Sequence, residues 1–237
     1  MYLYKDCTNI PALTFVDDAL AFSTCGAESL KLNAIIESKF ETKRLELGFE
    51  KCFQIHVGNK TKKCCPVLKV KNSDMKTASS ETYLGDVLTS DSKITANIQS
   101  RCGKGQGIIN QSVSMLQEVS FGYYYFEIAL MFRNSMFLNG ILCSSEALYG
   151  IKNEHIEMLE KCDRAFMRRV FDCPISTPIE SYYLETSTVP IRFILMGRRL
   201  MYLWTILHKS ENELVRKVFN TQTKFPAKND WVLQKNA

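Results

Sequence analysis

Two adjacent aspartates, Asp17 and Asp18, lie between apolar residues in the stretch from Thr14 to Phe22, TFVDDALAF. Neighbouring carboxylates repel each other, so the pair costs free energy unless a turn exposes both to water or a divalent cation neutralises them. Carboxylate oxygens are the ligands that Mg²⁺ prefers, and pairs of such ions promote in-line displacement at phosphorus. The stretch therefore predicts either a plain Asp-Asp hairpin turn or part of a Mg²⁺ site.

The residues around the aspartates predict a small unit of strands with one helix. Apolar runs at 12–16 and 19–23 are typical of two short strands, which would place Asp17-Asp18 at the turn of a hairpin. Helical spacing of apolar residues over 28–47 predicts a helix that ends at Gly48. Three further strands are predicted over 52–57, 67–70 and 82–88.

The chain beyond residue 91 predicts helices and no strands. The candidate helices are 93–117, 123–145, 154–171 and 191–209. We therefore predict an α+β fold in three parts. A mixed unit spans 1–91, a mainly α-helical unit spans 92–220, and a loosely ordered tail spans 221–237.

The helical part contains a group of arginines and a group of tyrosines, for which a role in folding is favoured over a role in binding. Arg164, Arg168 and Arg169 alternate with acidic residues on the third helix, which predicts a solvated face with i,i+4 ion pairs. The acidic residues of that face are Glu157, Glu160 and Asp163. The segment 123–125 holds three tyrosines, which could stack on bases, although core or interface packing is favoured for aromatics at a helix start.

Composition excludes a disordered or fibrous chain, since 46% of the 237 residues are hydrophobic and 23% are charged. Nine cysteines without a CxxC pair, and no signal peptide, predict reduced thiols in a nuclear or cytoplasmic protein. The apolar stretch 126–142 is interrupted by Arg133, so we expect no membrane span, and we expect no small-molecule cofactor. Four residues lack the usual zinc-ligand spacing and are expected to lie in the interior instead: Cys52, His56, Cys64 and Cys65.

Lysines form the second group that could do chemistry, here the binding of a polyanion. The net charge of +5 permits such a partner without demanding one. Lys104 lies in the glycine-rich segment 103–107, GKGQG, which is either a loop whose amides approach a phosphate or a flexible helix start. The segment lacks the P-loop spacing. The main cluster, which would attract phosphates in a salt-dependent way, comprises Lys60, Lys62, Lys63, Lys69 and Lys71.

The order of short motifs along nearly the whole chain resembles the carboxy-terminal part of non-LTR retrotransposon reverse transcriptases. An aromatic-x-Asp-Asp turn between apolar strands is typical of their palms, and the later motifs resemble the end of the palm, the thumb and the helices that follow. Those motifs are LELGFEKCFQIHVG at 45–58, YLGD at 83–86, RCGKGQGII at 101–109, FGYYYFE at 121–127, RNSMFLNG at 133–140, EALYG at 146–150, PIR at 190–192 and the pair Arg198-Arg199.

The resemblance implies a role for particular residues. Asp17 and Asp18 would be catalytic carboxylates that bind Mg²⁺, and Lys51 would donate a proton near the leaving pyrophosphate. Tyr83 and Gly85 would belong to the turn that holds the primer backbone. The activity implied is RNA-directed DNA polymerisation, a nucleotidyl transfer, with an RNA template and a DNA primer as partners.

A working palm also needs a metal-binding aspartate from an earlier strand and a fingers region, neither of which fits in the sixteen residues before Asp17. We therefore expect a truncated polymerase that is inactive by itself. The alternative is a non-catalytic nucleic-acid-binding remnant, which would bind in a salt-sensitive way without either aspartate. A structural helical protein with no polyanionic partner is a third possibility.

Overall fold

The structure, a computed structural model, shows a chain that divides into two units, Met1–Ala96 and Asn97–Ala237. The first unit is made of short strands and one long helix, and the second is helical. The α+β class predicted from sequence is confirmed. The structure describes residues 12–16, 18–58, 66–70, 73–119 and 122–224, without the side chains of Phe49 and Tyr123.

Strand pairs rather than one continuous sheet form the described part of the first unit. Strands β1 and β2, β4 and β5, and β7 and β8 are antiparallel pairs, whereas β3 and β6 are parallel. The strand predicted over 82–88 is wrong as a single strand, because a turn at Leu84-Gly85 divides it into β7 and β8. The strands are β1 Ala12–Phe15, β2 Asp18–Ala21, β3 Phe53–Ile55, β4 Lys69–Val70, β5 Ser73–Asp74, β6 Lys76–Ala78, β7 Ser80–Tyr83 and β8 Asp86–Thr89.

Helix α1 spans Gly26–Thr42, so the predicted end at Gly48 is wrong. Arg44 adopts the left-handed conformation with φ of 55°. The Leu45 amide then donates to the Phe40 carbonyl at 2.9 Å and the Arg44 amide to Glu41 at 2.9 Å. These two bonds are the Schellman pattern that closes a helix, here formed without the usual glycine.

Hydrogen bonds, more than an apolar core, connect the elements of the first unit. No side chain of α1, which the structure describes throughout, is buried. The buried amide of Gln54 donates to the Pro66 carbonyl at 2.9 Å and accepts from the Leu68 amide at 3.2 Å. Asn33 of α1 donates to the Lys69 carbonyl at 2.7 Å, which ties the helix to β4.

Helical periodicity predicted most of the second unit. The predictions over 93–117, 154–171 and 191–209 are confirmed, and the one over 123–145 corresponds to α3, a π-helical segment at Arg133–Phe137 and α4. Helices α6 and α8 are absent from the sequence prediction, and α8 continues into the predicted tail as far as Lys224. The helices are α2 Thr95–Leu116, α3 Tyr123–Phe132, α4 Leu138–Leu142, α5 Asn153–Val170, α6 Ile179–Glu185, α7 Ile191–Leu207 and α8 Leu214–Lys224.

Apolar side chains from these helices form the core of the second unit. The rings of Phe137 and Phe166 lie 4.8 Å apart at its centre. Over the residues that the structure describes, no helix has the length and apolar character needed to cross a membrane. Further buried members of the core are Ile98, Ile109, Ile141, Leu142, Leu159, Met167, Ile191 and Leu195.

A buried ion pair lies beside this core. Arg133 and Asp163 are 1% and 0% exposed, and two parallel bonds of 2.9 Å join the guanidinium to the carboxylate. Arg133 also donates to the Val189 carbonyl at 3.1 Å, and the Tyr183 hydroxyl donates to Asp163 at 3.0 Å. Burial, together with the charge of Asp163, raises the pKa of Tyr183, so this hydroxyl remains a donor.

The solvated face predicted for α5 is therefore wrong. Asp163 is fully buried against Arg133, and Glu160 pairs with Arg192 through an Nε–Oε1 contact of 2.6 Å. The bond from Arg192 holds the pKa of Glu160 below its usual value. Arg169 donates to Asn110 at 2.7 Å rather than to an acidic residue of its own helix. Partners on other helices hold Glu160 and Arg169, although the charge of Arg164, four residues along α5, also lowers the pKa of Glu160.

Tyr124 and Tyr125, the tyrosines before Phe126 whose side chains the structure describes, have different surroundings. Tyr124 is 75% exposed. The Tyr125 hydroxyl donates to the Val170 carbonyl at the end of α5, so this ring is held at the edge of the helical unit. Phe126 and Phe171 stack with ring centroids 5.4 Å apart.

Glycines within α2 have two different roles. A Cβ atom at Gly105 would lie 2.7 Å from Ile141 Cγ2 and 2.9 Å from Cys162 Sγ, whereas one at Gly103 would meet nothing within 4 Å. Distances below 3.0 Å require a neighbour to move. Only Gly105 of these two is needed for close packing of α2 against its neighbours.

Loss of one partner of the buried ion pair should destabilise the protein far more than loss of one partner of an exposed ion pair. Arg133→Met should lower the free energy of unfolding by about 3–5 kcal/mol, because it leaves Asp163 buried and uncompensated. Arg133→Met with Asp163→Leu should recover most of that loss. Urea unfolding followed by helical circular dichroism measures both. Lys209→Met, which breaks the exposed pair with Glu213, is the control and should cost less than about 0.5 kcal/mol. If Arg133→Met and Lys209→Met lowered the free energy of unfolding equally, this account would be contradicted.

The two glycines give a second, matched test. Gly105→Ala should destabilise the protein by about 1–3 kcal/mol through overpacking. Gly103→Ala should stabilise it by about 0.5–1 kcal/mol, because alanine is the better helix former and the site is open. The same urea titration measures both, and a stabilising Gly105→Ala would show that α2 does not pack as described.

Candidate functional site

The first hairpin brings Asp18 to the start of β2. Phe15 pairs with Asp18, so the turn consists of residues 16 and 17, one residue earlier than predicted. Asp18 is exposed, and Asp17 lies outside the described residues. The hairpin predicted around the aspartates is confirmed, and Asp18 belongs to its strand rather than its tip.

Val16 occupies an unfavourable conformation in this turn. Two-residue hairpin turns need positive φ at their first residue, and Val16 has φ of 54°. A β-branched residue in the left-handed region is an outlier that costs about 1–2 kcal/mol. Its side chain is 91% exposed, so no packing offsets the cost. Local strain of this kind is often associated with functional sites.

A two-ion Mg²⁺ centre needs more ligands than the described part of the hairpin supplies. Such centres hold two ions about 4 Å apart between several oxygen ligands. Within the described ranges, no three His, Cys, Asp or Glu side chains gather into a group that could hold a metal ion. Because Asp17 lies outside the described residues, the Mg²⁺ site that the resemblance implies stays a prediction, and we derive no catalytic step through that ion.

Lys51 ends a short 3₁₀ helix at Phe49–Lys51. Its amide donates to the Gly48 carbonyl at 2.9 Å, and its side chain is exposed. Among the described residues, no ion pair joins Lys51 to Asp18. The proton-donor role of Lys51 remains a prediction. The adjacent Cys52 thiol donates to the Gly48 carbonyl at 3.4 Å, and burial raises its pKa.

The second hairpin brings Tyr83 and Gly85 together. Tyr83 pairs with Asp86, and the two turn residues, Leu84 and Gly85, have φ of 50° and 88°. Positive φ at both positions is the type I′ pattern, for which Asn-Gly is the preferred sequence. Leu84 is 53% exposed. A bulky residue thus occupies a left-handed position at the tip without being buried.

The lysine cluster falls mostly outside the described residues. Lys69 of β4 is described, with 65% of its side chain exposed and a loose contact of 3.8 Å to Asp74. Such an exposed pair leaves the ammonium largely available to a polyanion. The members outside the described residues are Lys60, Lys62, Lys63 and Lys71.

Lys104 is exposed in the middle of α2, so the loop interpretation of 103–107 is wrong. The amides of a helix interior already donate to carbonyls four residues earlier and cannot cradle a phosphate. Close packing explains the glycine at position 105, where a Cβ would lie less than 3.0 Å from Ile141 and Cys162. Contact of the Lys104 side chain with nucleic acid remains a prediction.

A group of residues to which the sequence assigned no role lines an open cleft of the helical unit. The lining residues are Glu146, Arg198, Met201, Tyr202 and Thr205. Glu146 Oε2 is shielded from water and has no hydrogen-bond partner among the described residues. Burial and the charge of Glu146 raise the pKa of Tyr202. No spacing signal could have found this group, because Glu146 is far from the other four residues in the sequence and only folding brings it to them.

Comparison with protein-family models, with curated proteins and with solved structures finds no match. The family assignment consequently depends on the order of the motifs in the sequence.

The second hairpin gives a direct test of the turn geometry. Leu84→Asn should stabilise the β7–β8 pair by about 1 kcal/mol, because asparagine tolerates the left-handed conformation. Hydrogen–deuterium exchange of the amides at 80–89 should slow about fivefold. Leu45→Asn, at another exposed leucine, is the matched control and should leave this exchange unchanged. Faster exchange in Leu84→Asn would contradict the turn assignment.

Proposed function

We propose that this chain is the carboxy-terminal part of a non-LTR retrotransposon reverse transcriptase, an RNA-directed DNA polymerase. We further propose that by itself it binds nucleic acid, as a duplex of RNA template and DNA primer, without extending the primer. The proposal depends on the motif order in the sequence and on the surfaces that the described residues present.

Two tight hairpins carry the proposal. Asp18 begins the strand after the first turn, and Tyr83 and Asp86 flank the second. Both turns contain an exposed apolar residue, Val16 or Leu84, in the left-handed conformation. Natural sequences break a local backbone rule mainly where function demands it, so both turns are candidates for contact with a ligand.

The surface of the first unit supports a role as part of a larger polymerase. Leu30 and Ile35 of α1 are 50% and 56% exposed, and the helix buries no side chain. Helices of this length obtain most of their stability from packing of an apolar face. An unpacked helix beside separate strand pairs is the surface expected of a palm segment that normally contacts other parts of a polymerase.

One exposed lysine and the lysine cluster predicted from sequence support nucleic-acid binding. Lysines without strong acidic partners attract phosphates through release of counterions, which makes affinity fall as salt rises. Lys69 is of this kind, and the predicted cluster adds Lys60, Lys62 and Lys63.

Binding can be measured by fluorescence anisotropy with a labelled RNA–DNA primer–template between about 50 and 200 mM salt. The chain should bind with an affinity that falls with salt, and Asp18→Ala should leave it unchanged. A Lys60→Gln, Lys62→Gln, Lys63→Gln variant should weaken binding and reduce the logarithmic salt slope by about 2–3, because each phosphate that a lysine neutralises contributes close to one unit of slope.

A triple variant of equal charge provides the control: Lys31→Gln, Lys39→Gln, Lys43→Gln on and beside α1. It should retain most of the wild-type slope. Equal effects of the two triple variants, or no binding at the lowest salt concentration, would overturn the binding proposal. Primer extension by the purified chain with Mg²⁺ would overturn the statement that it does not polymerise DNA.

A further inference from the structure

Two cysteines meet where α2 packs against α5. The Cys102 thiol lies 3.8 Å from the Met158 carbonyl, to which it donates, and the Cys162 thiol donates to the Cys102 carbonyl at 3.7 Å. Met158 is one helical turn before Cys162, so each thiol contacts the backbone of the opposite helix at the same level. The Cys162 sulfur thus lies against the backbone of Cys102 itself.

Close packing holds this pair together. Gly105 follows Cys102 by three residues on the same helix, and a Cβ there would be only 2.9 Å from the Cys162 sulfur. The absence of a side chain at Gly105 therefore admits the Cys162 thiol against α2. A disulfide needs Cβ atoms about 3.5–4.5 Å apart, a spacing that such close approach of two helices allows.

The environment distinguishes the two thiols. The neighbouring Cys162 thiol lowers the pKa of Cys102, whereas the Cys102 thiol, burial and the charge of Asp163 raise the pKa of Cys162. Thiolates, not thiols, are the nucleophiles, so Cys102 is the more reactive partner. Both residues are partly exposed, which leaves a path for a small oxidant.

We propose that Cys102 and Cys162 are a hydroperoxide-reactive thiol pair that closes to a disulfide between α2 and α5. The Cys102 thiolate attacks one oxygen of the hydroperoxide. An S–O bond forms and the O–O bond breaks. The displaced hydroxide or alkoxide takes the proton of Cys162 and leaves as water or alcohol.

In the second step the disulfide forms. The Cys162 thiolate attacks the sulfur of the Cys102 sulfenic acid, so an S–S bond forms and the S–O bond breaks. The hydroxide released takes up the proton that Cys102 gave to the solvent when it ionised, and it leaves as water. Two thiols and one hydroperoxide thus give one disulfide, one alcohol or water, and one further water. The peroxide is reduced and the two sulfurs are oxidised.

The sequence around each cysteine makes the product easy to identify. Trypsin cuts after Arg101, Lys104, Lys161 and Arg164, which releases the tripeptides CGK and CDR with one cysteine each. The reduced full-length chain is treated with one equivalent of hydrogen peroxide, alkylated, denatured and digested. Mass spectrometry should find CGK joined to CDR. The thiol of Cys102 should be oxidised about fivefold or more faster than that of the more exposed Cys143.

Serine variants separate the two roles. With Cys162→Ser, Cys102 should stop at the sulfenic acid and be trapped by the diketone dimedone. With Cys102→Ser, Cys162 should form neither adduct nor cross-link. Cys143→Ser is the matched control and should give the wild-type cross-link. Circular dichroism checks that each variant is folded, and the cross-link in the wild-type chain is measured independently of them.

Two results would overturn the proposal. One is the absence of the CGK–CDR product at a peroxide dose that already oxidises Cys143. The other is equal dimedone labelling of the remaining thiol in the two single variants, Cys102→Ser and Cys162→Ser. Neither thiol would then be the preferred nucleophile.

Discussion

The ion pair between Arg133 and Asp163 is the interaction on which the helical unit depends. Taking both charges out of water is costly, and the cost is offset only by good geometry and further hydrogen bonds. Here the paired bonds are joined by the Tyr183 hydroxyl and the Val189 carbonyl. The π-helical segment, α5, α6 and the start of α7 therefore meet at one carboxylate, and none of them can shift without leaving a buried charge unsatisfied.

This constraint also positions the cysteine pair. Cys162 precedes Asp163 on α5, so the helix that carries the buried carboxylate presents the thiol to α2. On α2, Arg101 donates to the Ile141 carbonyl at 3.3 Å and to the Cys143 carbonyl. These two bonds cap the end of α4. The first unit has no comparable anchor among its described residues, and the hairpins β1–β2 and β7–β8 depend on turn geometry. Weakly packed, exposed turns of this kind are where binding residues are commonly found.

Much of the helical unit follows from periodicity, and the errors have local or distant causes. The end of α1 differs from the prediction because Arg44 takes a left-handed conformation that usually belongs to glycine. The strand prediction over 82–88 missed the turn because Leu84-Gly85 lacks the Asn-Gly signal, although the family resemblance implies a turn at Tyr83 and Gly85. In the candidate site, the hairpin carrying Asp18 is foreseeable from the two apolar runs that flank it. The need for a glycine at position 105 is not, because it depends on Ile141 and Cys162.

The sequence by itself determined the α+β class, the helices with strong apolar periodicity and the hairpin at the aspartates, because these depend on preferences that act over a few neighbouring residues. Tertiary structure alone decided which polar residues are buried. Asp163 resembles a surface residue until Arg133, thirty positions away, is brought to it. Cys102 and Cys162, sixty positions apart, become a pair only through the packing at Gly105. Burial and close approach depend on residues that only folding brings together, so no local pattern encodes them.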